Sequence, residues 1–151
     1  MLVSLKCQYA LRAILDLACR YDEGKPVKIA ETAKAQAIPA RFLEVILSQL
    51  KQGGFVASQR GNVGGYYLVR APKDISVGDV IRFVQGPLAP VECVRKGRSK
   101  SKCPLHAGCV LLPMWDRVQK AMSDVYDTTT FQDLVGQERK KAKDYVPGYA
   151  I

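Results

Sequence analysis

The sequence predicts a mostly α-helical fold with one small β-hairpin: a winged helix-turn-helix unit followed by a long C-terminal helix. Three observations carry this. Two helical runs, about 27–37 and 40–52, meet at Ile38-Pro39, and the second is stopped by Gly53-Gly54. Directly after it, FVASQRGNVGGYYLVR holds two β-prone runs around a turn rich in glycine, which is the pattern of a hairpin. Further on, VLLPMWDRVQKAMSDVYD repeats apolar residues at helical spacing.

Taken in order, residues 4–21 form a first amphipathic helix. Ser4 is its N-cap, and its stripe is Leu5, Tyr9, Ile14, Leu17 and Ala18, with Ala10 and Ala13 between. The turn YDEGKP ends it. The second helix turns Ile29, Ala30 and Ala33 inward. Pro39 suits the start of the third, whose core face is Phe42, Leu43, Ile46, Leu47 and Leu50. Strands at 55–59 and 66–70 follow. Ser76 then caps a fourth helix with Val77, Val80, Ile81 and Val84 inward. A fifth helix, about 113–126, starts near Pro113 and presents Leu111, Met114, Trp115, Val118, Met122 and Val125 on one face. That face is either a dimerisation surface or packed on its own domain. TTTFQDLV caps a short helix at about 131–135, and a mobile tail is expected beyond it. The organisation expected is a DNA-binding unit over 1–86, a cysteine loop over 87–112, a dimerisation helix and short helix over 113–135, and a flexible tail over 136–151.

The 151 residues carry a net charge of +9 with a pI near 9.4, so a polyanion is the expected partner, nucleic acid before an acidic membrane surface, and the helix-turn-helix with its wing narrows that to double-stranded DNA. A merely basic soluble protein is the bland alternative. A hydrophobic share of 48% is ample for a core. No apolar run reaches the roughly 18 residues of a membrane span. Lys6, Arg12 and Asp16 interrupt the first helix, so it does not read as a signal peptide. Five cysteines without such a signal suit a reducing, cytoplasmic compartment. There is no Ser-His-Asp arrangement, phosphate loop or nucleotide fingerprint, and the chain is not expected to be an enzyme.

The segment ECVRKGRSKSKCPLHAGC concentrates the remaining chemistry. It holds Cys93, Cys103 and Cys109, the only histidine (His106) and the cations Arg95, Lys96, Arg98, Lys100 and Lys102. So polar a segment belongs on the surface. Three thiols amid cations favour thiolate and hence metal or cluster binding. Zinc held by three cysteines and a histidine is an alternative. So is a thiol–disulfide switch between Cys103 and Cys109.

Read together, LKCQYALRAILDLA, IPARFLEVILSQLKQGGFV, SQRGNVGGYYL, ISVGDVI and the three late cysteines resemble the IscR/NsrR-type winged-helix regulators over roughly residues 1–135. The resemblance implies a homodimeric bacterial transcription factor, many of whose relatives sense iron–sulfur, nitric oxide or redox status. It implies that Ala40, Arg41, Glu44 and Val45 face base edges, with Ser48 and Gln49 as polar contacts to the backbone, Gln49 alternatively belonging to a solvated face. Arg60 would be the wing arginine at a tip that includes Asn62, Gly64 and Gly65. Glu44 matches a glutamate that influences which operator is read. Cys93, Cys103 and Cys109 match three ligands of a 2Fe–2S or 4Fe–4S iron–sulfur cluster. The first gap is longer here, with nine residues between Cys93 and Cys103 against five between Cys103 and Cys109. The family's fourth-ligand positions fall at Leu112 and Gln8, which leaves His106 or Cys7 as substitutes. Cys19 reads as core. The function implied is a repressor switched by such a cluster. A third reading is a cluster-free regulator of cysteine metabolism that acts through a partner enzyme.

Overall fold

The computed structural model describes residues 2–95 and 103–144. Its helices are α1 (Leu5–Cys19), α2 (Ile29–Gln36), α3 (Ala40–Gln52), α4 (Val77–Gln85), α5 (Leu112–Thr128) and α6 (Phe131–Asp144). Between α3 and α4 lie β1 (Val56–Gln59) and β2 (Gly65–Leu68).

Helix α1 is the axis of the fold. Ser4 Oγ accepts a hydrogen bond from the Cys7 amide at 3.2 Å, as an N-cap should. Ala10, Ala13 and Ala18 are buried beside Ile14 and Leu17, and these small residues let α2, α3, α4, α6 and β2 all approach one helix. Leu5, expected in the stripe, lies outside the core and is exposed. On α2 the inward residue is Thr32 rather than Ala30, which is exposed. The reason is polar. Thr32 Oγ1 donates to the buried Asp16 carboxylate at 2.8 Å, and Arg20 donates to its other oxygen at 3.3 Å.

The turn from α2 to α3 passes through Ala37 at φ 48°, a left-handed conformation in a residue with a Cβ. The Ala37 amide bonds back to Lys34, and the Ile38 amide reaches the Ala33 carbonyl at 3.0 Å while its side chain is buried. Helix α3 then buries Leu43, Ile46, Leu47 and Leu50. Phe42, expected on this face, is 64% exposed. It sits at the edge of the apolar stripe, where no element among the described residues covers it.

The hairpin pairs Val56 with Leu68 and Gln59 with Gly65, antiparallel. Each strand is one residue shorter than the sequence suggests, and β2 begins one residue earlier, at Gly65. Val27 adds a bridge that the sequence did not announce: its amide and carbonyl each bond Tyr66 at 2.8 Å. Lys51 Nζ donates to Ser58 Oγ at 2.6 Å and ties α3 to β1. The Phe55 and Phe83 rings lie 5.3 Å apart, with the Arg70 guanidinium 4.8 Å from the Phe55 ring centre. A Cβ on Gly53 would run into the Phe83 ring, so that glycine is needed for close approach as well as for stopping α3.

Helix α4 opens with a reciprocal cap: Ser76 Oγ accepts from the Asp79 amide at 3.1 Å and Asp79 Oδ2 accepts from the Ser76 amide at 3.0 Å. Val80 and Ile81 are buried, with Val77 and Val84 partly so. Arg82 donates to both oxygens of Asp127 on α5, at 2.6 and 2.7 Å.

The chain then returns to its beginning. The Val77 amide bonds the Thr129 carbonyl at 2.9 Å, and the Phe131 amide bonds the Ile75 carbonyl at 3.0 Å. Phe131 and Val135 are buried in the core around α1. Where the sequence suggested a helix ending near residue 135 and a flexible tail from 136, α6 runs on to Asp144. Residues 137–143 have no core-facing period but are good helix formers, and Arg139 pairs with Asp22 at 3.0 Å. The rest of the expected tail, 145–151, lies outside the described residues.

Candidate functional site

The outer face of α3 follows from its inner one. Once Leu43, Ile46, Leu47 and Leu50 are turned into the core, helical geometry leaves Arg41, Glu44, Val45 and Ser48 opposite them, with Ala40 in the first turn. All five are exposed, Gln49 partly so. Glu44, Val45, Ser48, Gln49 and Gln52 line a shallow depression along the helix. Phe42 and Val45 are neighbours on this surface, 64% and 62% exposed, and sequence reasoning placed only Val45 there.

The wing sits beside α3 because both of its strands are anchored, β1 through Lys51 and Ser58 and β2 through Val27 and Tyr66. Its tip is narrow. Gly64 packs so tightly against the backbone of Gln59 and Gly61 that a Cβ would collide there, and Gly65 has the same relation to Val27. Gly61 takes φ 108°, a conformation that favours glycine. This compact turn pushes Arg60, Asn62 and Val63 outward, all exposed. A helix with a polar outer face and a tight hairpin carrying a guanidinium form a surface that fits duplex DNA.

The five cysteines fall into two groups. Cys7 is fully buried in a small apolar cluster with Ile81 and Leu88, packed by Val3, Leu11, Val77, Val84 and Tyr126. Burial pushes its thiol pKa up. Cys19 packs partly buried against the main core, and its pKa is raised first by burial and then by the Asp16 and Glu138 carboxylates. The loop cysteines are more open. Cys93 is half-buried on a single helical turn, Glu92–Val94, whose Val94 is buried against α5. Cys103 is exposed and Cys109 half-buried.

A second turn, His106–Gly108, joins the last two cysteines. The His106 amide donates to the Cys103 carbonyl at 3.2 Å, and the Cys109 amide donates to the His106 carbonyl at 3.4 Å. His106 Nδ1 is a buried polar atom with no hydrogen-bond partner among the described residues. Lys96, Arg98, Lys100 and Lys102 lie outside the described residues, and of the loop's expected cations only Arg95 is described, beside Glu92 at 3.4 Å. Among the described residues no three ligand-type side chains are gathered closely enough to hold a metal. The donor chemistry nevertheless suits an iron–sulfur group, with three thiols and an imidazole nitrogen that has no other partner.

The helix-turn-helix with its wing defines a winged-helix DNA-binding regulator. The Rrf2 family model, described as an iron-dependent transcriptional regulator, matches residues 3–137, and the chain belongs to that family. It is 33% identical over 138 residues to the HTH-type transcriptional regulator IscR of Erwinia tasmaniensis, covering 91% of this chain and 81% of that one. Among solved structures it is similar to CymR, the global cysteine regulator of B. subtilis, with a TM-score of 0.76 at 31% identity, covering 91% of this chain and 98% of CymR. It is also similar to IscR of T. potens, with a TM-score of 0.72 at 31% identity and coverage of 99% and 95%. These relatives are transcriptional regulators rather than enzymes, and this chain is a DNA-binding transcriptional regulator of their family. Among the described residues no helix is long and apolar enough to cross a membrane.

Proposed function

We propose that this chain is a homodimeric transcriptional repressor whose operator affinity is set by an iron–sulfur cluster at Cys93, Cys103 and Cys109, with His106 as fourth ligand. The observation that carries this is the unpartnered His106 Nδ1, buried within the turn that links Cys103 to Cys109. A buried nitrogen without a hydrogen bond is destabilising by about 1–3 kcal/mol unless something binds it. Cys7 is the weaker substitute, because it is sealed under Ile81 and Leu88 and burial disfavours its thiolate. When bound, such a cluster, 2Fe–2S or 4Fe–4S, supplies a centre that responds to oxidants or nitric oxide.

The chain's own residues do the rest. Ala40, Arg41, Glu44 and Val45 meet base edges in the major groove, Ser48 and Gln49 contact the DNA backbone, and Arg60 reaches the backbone or minor groove with Asn62, Gly64 and Gly65 shaping the tip. The exposed apolar residues Met114, Val118 and Val125 of α5, with Leu111 just before it, face a second copy. The Glu92–Val94 turn packs on α5, and Arg82 and Asp127 tie α5 to α4. A change of loop packing at Cys93 therefore has a short physical route to the reading head.

The test is anaerobic purification with assays of iron, acid-labile sulfide and zinc, followed by operator binding with and without the bound group. Iron and sulfide in near-equal amounts, lost in Cys103→Ala and Cys109→Ala, are expected. A colourless protein holding zinc, or one whose loop thiols pair on oxidation, would overturn the cluster. A second reading, a cluster-free regulator responding to cysteine supply through a partner enzyme, is favoured by the likeness to CymR. It predicts operator affinity that is indifferent to iron.

A further inference from the structure

We propose that Phe42 is a specificity residue that recognises the 5-methyl group of thymine in the operator, with Val45 beside it extending the same apolar contact. This rests on α3 being the helix that enters the major groove. Phe42 is the third residue of α3, in the first turn, where a recognition helix meets base edges. Its ring is 64% exposed and Val45 is 62% exposed. Single exposed apolar residues are ordinary, but two adjacent ones on the same helical turn form a patch that water solvates poorly.

The charge carried by the helix-turn-helix and wing as a whole identifies what covers the patch. Lys28, Lys34, Arg41, Lys51 and Arg60, from α2, α3 and the wing, are all exposed on a chain of net charge +9. Such a face attracts a polyanion and is a poor seat for an apolar protein partner. A phenyl ring offers neither charge nor hydrogen-bond donor to a phosphate. On the major-groove edges of unmodified base pairs, the thymine methyl is the one apolar group available. The same ring discriminates against cytosine and guanine by leaving their donors and acceptors without partners.

The experiment begins with duplexes selected from a random library by the full-length protein. Each thymine in the selected site is then replaced by deoxyuridine, which removes the methyl and keeps the base pairing. The expected result is a loss of about fourfold in affinity at one thymine per half-site, the size set by returning one methyl to water. In Phe42→Ala that penalty disappears at that position and stays at any other sensitive thymine, whereas Phe42→Leu retains it. Deoxyuridine penalties that are identical in wild type and Phe42→Ala would overturn the assignment, as would no penalty anywhere. If Phe42→Ala weakens binding equally for thymine and uracil sites, the ring meets sugar rather than methyl and the proposal fails. If selection enriches no sequence, the failure lies with the DNA-reading role of α3 itself.

Discussion

Helices α3 and α5 are both amphipathic, yet only α3 is satisfied by its own chain. Every member of its inner row, Leu43, Ile46, Leu47 and Leu50, is buried. On α5 the one buried residue is Gln119, while Met114, Val118 and Val125 stay exposed. The difference is one of supply. Helix α3 lies in the angle between α1, α2 and β1, whereas α5, among the described residues, packs mainly along α4 and the Glu92–Val94 turn, with Tyr126 reaching the small cluster around Cys7. An apolar row that finds cover within the chain fixes a fold, and one that does not is available for association.

The comparison can be broken most directly at Leu47. Leu47→Ala is expected to lower unfolding free energy by about 2–5 kcal/mol, measured by urea titration, because it opens a cavity in a closed site. Replacing Val118 and Val125 together by aspartate should leave chain stability within about 0.5 kcal/mol. The same double change is expected to weaken self-association by about 2 kcal/mol or more, read by sedimentation velocity across concentration. Equal damage to folding from both changes would erase the distinction between the two helices.

Smaller changes sharpen it. Helix α5 begins with Pro113 in its first turn, a relaxed start, whereas α3 follows Ala37 in a left-handed conformation. Ala37→Gly should therefore raise thermal stability by about 1 kcal/mol, with no change in the spectrum of a bound group. The smallest effect concerns the corner between α5 and α6. Thr130 bonds hold the exposed Asp133 carboxylate below its usual pKa. Its contribution is therefore present above the ordinary carboxylate pKa and lost as pH falls through the lowered one, which an NMR titration of the α6 amides would follow. Asp133→Asn should flatten that titration.

Much of this was legible in the residues. Pro39 and Gly53-Gly54 bracket α3 so firmly that its bounds coincide with expectation, and Ser76 announces α4. Phe42 misled because period alone cannot tell which edge of an apolar stripe will be covered, and that depends on where α1 and α2 end up. Thr32 was missed because its partner, Asp16, is on another helix. The length of α6 was underestimated because its second half is held by helix propensity and one ion pair rather than by burial. The loop was the reverse case: its three cysteines and histidine stand out in the sequence, but nothing in the spacing told Cys7, roofed by Ile81 and Leu88, from an accessible thiol.

The return of α6 to α1 has a consequence for synthesis. Phe131 and Val135 fill the centre of a core whose other members, Ala10 to Val80, are translated long before them, and the Arg139–Asp22 pair spans 117 positions. A nascent chain that has released only the wing and α4 therefore has a hole where the phenyl ring belongs. The reading head becomes firm only once the cysteine loop and α5 have already emerged. A ribosome that stalls before α6 leaves a fragment whose core lacks its closing residues, a substrate for proteases rather than a reader of DNA.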